Sequence, residues 1–203
     1  MHKSAMTRMK WFVDNYIPKD KKVKVLDIGS YSVNGNYKIL FNGTQVQYTG
    51  MDINRGPNVD LVVSDPYDWK EIEDESYDYM ISGNAFEHIE YPWLTIEQMY
   101  KKLKPDGFIC ILTPFAHVEH RYPVDCYRYF SDGLKALAKW GKFKVIECTV
   151  GGVPKGTQDP KWLSKDENYD DTMLVAAKTD DTEKLKTMPK LNATMLTREW
   201  KIR

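Results

Sequence analysis

Val23-Lys24-Val25-Leu26-Asp27-Ile28-Gly29-Ser30 decides the fold. Its β-branched and aliphatic residues read as a buried strand, and its glycine as the turn that closes it. In open α/β sheets ligands bind outside the carboxyl ends of the strands, so a first strand ending in Asp27, Ile28 and Gly29 marks that edge as a binding edge. Gly29 lets a ligand approach the backbone closely. A second run, Gln47-Tyr48-Thr49-Gly50-Met51-Asp52, also ends in an acid, about two dozen residues further on. At that spacing a carboxylate takes both hydroxyls of a bound ribose. The pair alone also suits a nicotinamide or flavin cofactor. Tyr31, however, stands where a Gly-x-Gly-x-x-Gly turn needs its second glycine, so close approach of a pyrophosphate is lost. A nucleoside without phosphates fits better.

Outward from this core, strand-like runs alternate with helix-compatible ones, the pattern of a mostly parallel sheet covered by helices. Asp60–Val63 reads as a short third strand and Tyr77–Ser82 as a fourth. Leu94 to Leu103 carries Leu94, Ile96, Met99, Tyr100 and Leu103 on a helical face, and Lys104-Pro105-Asp106-Gly107 stops it. Phe108–Thr113 is a fifth, central strand. Ser131 is expected to cap a helix that runs from Leu134 to Trp140 and ends at Gly141. Phe143–Val150 and Thr172–Ala177 complete seven strands, with the polar, turn-rich segment from Gly151 to Asp171 between the last two. Between Pro114 and Phe130 lies a connection dense in His, Tyr, Pro and charge, longer than most and therefore expected to be functional.

Composition narrows the classes. A chain of 203 residues, 42% hydrophobic, supports one core and hence one domain. Lys plus Arg and Asp plus Glu balance at 29 each, so no global positive field favours nucleic acid. No run approaches the roughly 18 to 20 apolar residues of a membrane span, and MHKSAMTRMKWF lacks the apolar stretch of a secretory signal. A cytoplasmic protein without membrane insertion is expected. Cys110, Cys126 and Cys148 are too far apart for a Cys-x-x-Cys site and read as reduced thiols.

With these motifs in order, the chain resembles a class I S-adenosylmethionine-dependent methyltransferase over roughly Lys22 to Lys178, of the small bacterial type. Val25–Ser30 resembles the family's first motif, which implies that Asp27, Gly29 and Ser30 face the methionine part of the cofactor. Gly50-Met51-Asp52, with Ile53 following, resembles the second motif, whose acid holds the ribose. Ser64-Asp65-Pro66 resembles the segment that meets the adenine, so Asp65 and Pro66 join the cofactor set. Asp78–His88 resembles the fourth strand with its Glu-His turn, bringing in Gly83 and Asn84. Leu103–Phe108 stands where the family has Leu-Lys-Pro-Gly-Gly. The sequence departs from Asp-x-Gly-x-Gly-x-Gly in placing Tyr31 and Val33 at the later glycines, the next being Gly35. The resemblance implies a Rossmann-like, mostly parallel seven-stranded sheet with helices on both faces and a C-terminal antiparallel strand. It also implies a domain over residues 1–178 and a peripheral segment over 179–203.

The implied reaction moves a methyl group to an oxygen, or less readily a nitrogen, of a small polar acceptor. An association with surface-glycan pathways hints at a sugar- or nucleotide-linked one. An alcohol acceptor calls for a base. His120 is the first candidate, with Asp125 to orient it and Arg128 to clamp an anionic acceptor group; His117 and His88 follow. Each has a plainer role available: His88 packing a turn, Asp125 and Arg128 pairing to fix the loop. His117-x-x-His120 with Glu119 and Asp125 also offers metal ligands, but the transfer needs no metal and none is expected. A noncatalytic cofactor-binding module and a nicotinamide-dependent oxidoreductase are the rival functions, and a homodimer is compatible with all of them.

Overall fold

The computed structural model describes residues 3–151 and 170–189. All seven expected strands are present: β1 (Val23–Ile28), β2 (Val46–Asp52), β3 (Leu61–Val62), β4 (Tyr77–Gly83), β5 (Leu103–Ala116), β6 (Lys144–Val150) and β7 (Asp170–Ala177). They form one sheet in the order β3-β2-β1-β4-β5-β7-β6. The pairs from β3 through β5 are parallel, and β7 runs antiparallel between β5 and β6. Most of the turn-rich segment expected between the last two strands lies outside the described residues.

Side chains alternate between the two faces of a strand, and here both faces are apolar. Leu26, Ile28, Met80, Ile109 and Ile111 join one buried cluster with Ile96 and Met99 of α2 (Pro92–Lys102) and Leu134, Leu137 and Ala138 of α3 (Ser131–Trp140). Val25, Ile81, Cys110 and Leu112 face the other way, against Ala5, Met9, Phe12, Val13 and Tyr16 of α1 (Lys3–Tyr16). Helices therefore cover both faces, as expected. The α1 helix is absent from the elements read above, although its buried residues recur at helical spacing. The short α4 (Thr182–Lys186) follows β7, and Leu185 and Met188 pack on the same side as α1.

Two local expectations are corrected. Ser131 does not cap α3: the cap position is Phe130, with no side-chain bond, and Ser131 is already helical. Lys104–Gly107 does not merely end α2; it is an irregularity inside β5, whose register against β4 jumps from Tyr77–Leu103 to Tyr79–Phe108. Asp106 takes a left-handed conformation there (φ 61°).

The strand order reverses between β1 and β4, since the chain proceeds from β1 outward through β2 and β3 and then returns to β4. Such a reversal opens a crevice at the carboxyl edge, the favoured ligand position of this architecture.

Candidate active site

Two groups of side chains meet at that crevice. The first gathers around the β1 turn. Gly29 and Ser30 donate their amides to Met51 O at 2.9 and 3.0 Å, locking the turn onto β2. Gly29 has φ +73°, and a Cβ on it would lie 2.3 Å from Ala85 Cβ. The glycine is thus required by its own backbone and by the neighbouring β4 turn. Tyr31 fills the place of the missing second glycine by laying its ring over Gly56.

Asp27 is 2% exposed and accepts a hydrogen bond from Tyr48 Oη at 2.5 Å. Burial is the main force that pushes its carboxyl up to about 7; the Tyr48 bond opposes this and the charge of Asp52 adds to it. Asn58, itself at φ 69°, donates to Tyr48 Oη and to Ser30 O, and Ser30 Oγ returns a bond to Asn58 O. Asp52 sits at the end of β2, its two oxygens accepting the amides of Tyr31 and Asn54, each at 3.1 Å. Ile53 beside it is exposed. Asp65 and Pro66 are exposed on the turn after β3, where Asp65 accepts the Tyr67 amide and Pro66 O accepts the indole N–H of buried Trp69.

The second group lies beyond β4. A Cβ on Gly83 would meet Tyr37 Oη at 2.2 Å, so the tyrosine hydroxyl rests directly on that glycine. Tyr37 Oη is buried and has no hydrogen-bond partner among the described residues. Burial, then the carboxylates of Asp171, Asp27 and Glu87, hold it well above the usual phenol range, so it stays an O–H donor. Asn84, at φ 56°, donates from its side-chain nitrogen to Asp171 at 3.2 Å, which turns its carbonyl oxygen away; that oxygen is also buried and has no partner among the described residues. A buried donor and a buried acceptor left open in a native site call for a ligand or water. The carboxylate and ammonium ends of an amino acid such as the methionine part of S-adenosylmethionine would satisfy them. The residues present fit that cofactor.

Glu87 is the residue the sequence set omitted. It is fully buried, accepts from Thr113 Oγ1 through one oxygen at 3.1 Å and leaves the other, Oε1, without a hydrogen bond among the described residues. Burial raises its carboxyl to about 7; Thr113 and Arg128 oppose this while Asp171 adds to it. His88 Nε2 is 3.7 Å from that free oxygen. His88 Nδ1 is 2.6 Å from Val124 O, and because a carbonyl only accepts, the proton is on Nδ1 and the lone pair on Nε2. Burial lowers the basicity of His88. Its ring stands edge-on to His120 at 4.8 Å, and His120 to His117 at 4.4 Å.

The expected roles of Asp125 and Arg128 are revised. The Arg128 guanidinium meets Asp125 through both terminal nitrogens (2.5 and 2.7 Å) and also donates to His117 O, Tyr127 O and Val118 O. Those five bonds match the five N–H donors of the group, leaving none to clamp an acceptor. The guanidinium holds the Asp125 carboxyl well below the usual range. Asp125 reaches His120 through its backbone amide (2.7 Å), whereas the His120 ring nitrogen Nδ1 is 3.6 Å away, beyond hydrogen-bond distance. It therefore positions the loop, not the imidazole.

A family model described as a methyltransferase domain matches residues 3–144. The chain belongs to that family. This bears out the class I S-adenosylmethionine-dependent resemblance read from the motifs, and with it the fold. No relative was found among curated proteins. Among solved structures, phosphoethanolamine N-methyltransferase 2 of Haemonchus contortus in complex with S-adenosyl-L-methionine is similar at TM-score 0.60 and 18% identity, over 85% of this chain and 52% of that one. The chain thus spans about half the length of that relative. The 1,6-didemethyltoxoflavin-N1-methyltransferase of Burkholderia thailandensis, with S-adenosylhomocysteine bound, is similar at TM-score 0.64 and 18% identity, over 87% and 79% of the two chains. The [4+2]-cyclase SpnF shares the fold at TM-score 0.63 and 14% identity, over 85% and 80%. At such identities the likeness establishes the fold alone, and the spread of reactions leaves the chemistry to the side chains. Among the described residues no helix is long and apolar enough to cross a membrane.

Proposed function

We propose that this methyltransferase domain binds S-adenosylmethionine along the β1, β2 and β4 edge and methylates a hydroxyl oxygen of a small polar acceptor held between β4 and the loop after β5. The observation that carries the cofactor half is the pair of open, buried polar atoms on Tyr37 and Asn84, set between Asp27 and Glu87. Asp52 takes the ribose hydroxyls, Ile53, Asp65 and Pro66 border the adenine, and Tyr37 and Asn84 address the amino-acid end. When bound, the cofactor supplies a methyl group on a cationic sulfur. Buried carboxyls at Asp27, Glu87 and Asp171 favour that positive charge over a neutral ligand.

The Glu87, His88 and His120 group supports the oxygen reading of the acceptor. A hydroxyl is a poor nucleophile until its proton leaves, and His88 Nε2 carries the lone pair positioned to receive it. Holding the acceptor in line accounts for much of the rate, on the order of 7–11 kcal/mol in intramolecular analogues. A nitrogen acceptor is the second reading, favoured by the same buried carboxyls, which attract an ammonium, and by the two N-methyltransferases that share the fold. The surface-glycan association has no counterpart among the side chains of the site and forms no part of the proposal.

Calorimetric titration with S-adenosylmethionine and S-adenosylhomocysteine, followed by transfer of labelled methyl to paired alcohol and amine acceptors, tests it. Saturable binding of both ligands that Asp52→Ala weakens, with label entering alcohols, is the expected result. Label in amines only overturns the oxygen assignment, and no binding by a folded protein overturns the cofactor. Binding without transfer to any acceptor returns the noncatalytic module.

A further inference from the structure

The sequence pairs its metal-capable residues as His117, Glu119, His120 and Asp125, but the fold brings together a different set. One ring nitrogen each of His88 and His120 and a carboxylate oxygen of Glu87 lie within 4.8 Å of one another. Tetrahedral ligands about 2.1 Å from a zinc-like ion are about 3.4 Å apart, so a side-chain adjustment of roughly an ångström closes the group around a cation. The 3.7 Å between Glu87 Oε1 and His88 Nε2 is already close to that spacing.

Three further features point the same way. Glu87 Oε1 is buried, has no hydrogen bond among the described residues and lies 3.7 Å from His88 Nε2. Both histidines are oriented by backbone carbonyls on their Nδ1 side, His88 by Val124 at 2.6 Å and His120 by Val118 at 3.2 Å. That arrangement leaves Nε2 deprotonated and free, which is how a metal-ligating histidine is usually held by its outer partner. The carboxylate is held likewise, its second oxygen fixed by Thr113. Glu119, by contrast, is exposed and bonded to Arg121, and Asp125 is occupied by Arg128. The alternative set therefore lacks both of its carboxylates.

We propose that Glu87, His88 and His120 form a binding site for a divalent transition cation of the zinc type, with its remaining coordination positions open to the methyl acceptor. Two imidazoles and one carboxylate are a common donor set for such ions when further positions are left for water or substrate. The inference rests on the methyltransferase reading and deepens it. Held by Glu87, His88 and His120, such an ion would act as a Lewis acid on an acceptor hydroxyl and ease loss of its proton to solvent water; the acceptor oxygen would take the methyl carbon as the carbon–sulfur bond breaks, with the electron pair left on sulfur. His88 is then a ligand and the ion replaces it as the activating group. The acceptor class that suits several open positions is a hydroxyl compound with an adjacent oxygen donor, a vicinal diol or a hydroxy acid. Tyr122, 60% exposed with its ring 6.0 Å from His88, forms one wall of that approach.

The test is titration of the chelator-treated chain with Zn2+ alone by calorimetry, and with Co2+ as a visible-absorption stand-in. One equivalent is expected to bind, with Co2+ giving ligand-field bands. His88→Ala, His120→Ala and Glu87→Gln should each weaken binding at least tenfold, and Glu119→Gln should leave it unchanged. Should Glu87→Gln not fold, as judged by circular dichroism, the partly exposed His120 decides the matter. Absence of saturable binding, or binding indifferent to His88 and His120, overturns the site. S-adenosylmethionine titrated in parallel separates the two claims: cofactor binding without metal binding removes the cation alone, while loss of cofactor binding removes the reading beneath it.

Discussion

The Tyr48 hydroxyl donates to the Asp27 carboxyl at 2.5 Å, deep under the β1 turn, and still does not offset the desolvation that raises that acid to about 7. A carboxyl whose folded pKa lies above its unfolded value of about 3.9 binds protons more tightly in the native state. Its contribution to stability is therefore greatest at low pH and is lost as pH rises toward 7. Asp27→Asn keeps an oxygen for Tyr48 without the charge. Relative to the wild type, the variant should gain stability between pH 5 and pH 8, by on the order of 2 kcal/mol. Urea unfolding of both proteins across that range checks it; a difference that is flat or of opposite slope removes the claim.

The same acid ties cofactor binding to protons. Near pH 7 Asp27 is about half protonated when free, and a cationic sulfur nearby favours the ionised form. Binding of S-adenosylmethionine at pH 7 should release up to about half a proton and should tighten from pH 6 to pH 8. S-adenosylhomocysteine has the same ammonium and carboxylate but no sulfonium, so it should release less. Calorimetry in buffers of different ionisation heat measures both values. Equal release by the two ligands would place the sulfur far from Asp27.

Gly29 separates two costs that usually come together. Gly29→Ala forces an alanine to φ +73° and drives its methyl into Ala85. The left-handed conformation alone costs about 1 kcal/mol, and the overlap adds about 1–3 kcal/mol. Adding Ala85→Gly relieves the overlap and leaves the conformational part. The double variant should thus recover about half or more of the loss seen in Gly29→Ala, read by thermal or urea unfolding. No recovery would mean that the turn itself, and not Ala85, sets the requirement.

Asp52 carries the ribose assignment. A charge-assisted hydrogen bond contributes about 1.5–3 kcal/mol, so Asp52→Ala should weaken S-adenosylmethionine roughly ten- to hundredfold. Asp52 is only partly buried, and its bonds to Tyr31 and Asn54 hold an exposed rim, so the unfolding midpoint should move little. A large loss of stability with unchanged affinity would show that the acid serves the turn instead.

The sheet was legible because each strand is a short apolar run bounded by turn residues, and because Asp27 and Asp52 end consecutive strands. The carboxyl edge followed from strand order. What escaped were residues whose roles arise only when distant segments meet. Tyr37 lies on a 3-10 turn with no motif, and Asn58 on a left-handed residue; Asp171 arrives from β7, far along the chain. Glu87 stood beside His88 in a motif already noted, and only its complete burial distinguishes it from an ordinary turn acid. The α1 helix is hard to read in the sequence because its apolar stripe is diluted by Lys, Arg and Asp, although the helical spacing is there. For Arg128 the sequence leaves clamp and loop pairing both open for a physical reason: an arginine three residues from an aspartate in a polar loop looks available until its donors are counted against carbonyl oxygens that the sequence cannot place.

That count makes the last prediction. If Arg128 is a strut, removing it leaves Asp125, whose side chain is 2% exposed, without its counter-charge. Arg128→Ala should then cost about 3 kcal/mol and lower the unfolding midpoint by about 6–12 °C. Arg128→Lys should restore little, because a point charge cannot reproduce two parallel bonds to a carboxylate and three to carbonyls. Cofactor affinity should stay within about twofold, since Asp52, Tyr37 and Asn84 lie on other elements, while turnover falls as the loop that carries His120 loosens. An anion clamp would behave in the opposite way: the midpoint would hold, KM for an anionic acceptor would rise, and lysine would rescue it. Unfolding midpoints and the division between kcat and KM for the three proteins decide between strut and clamp.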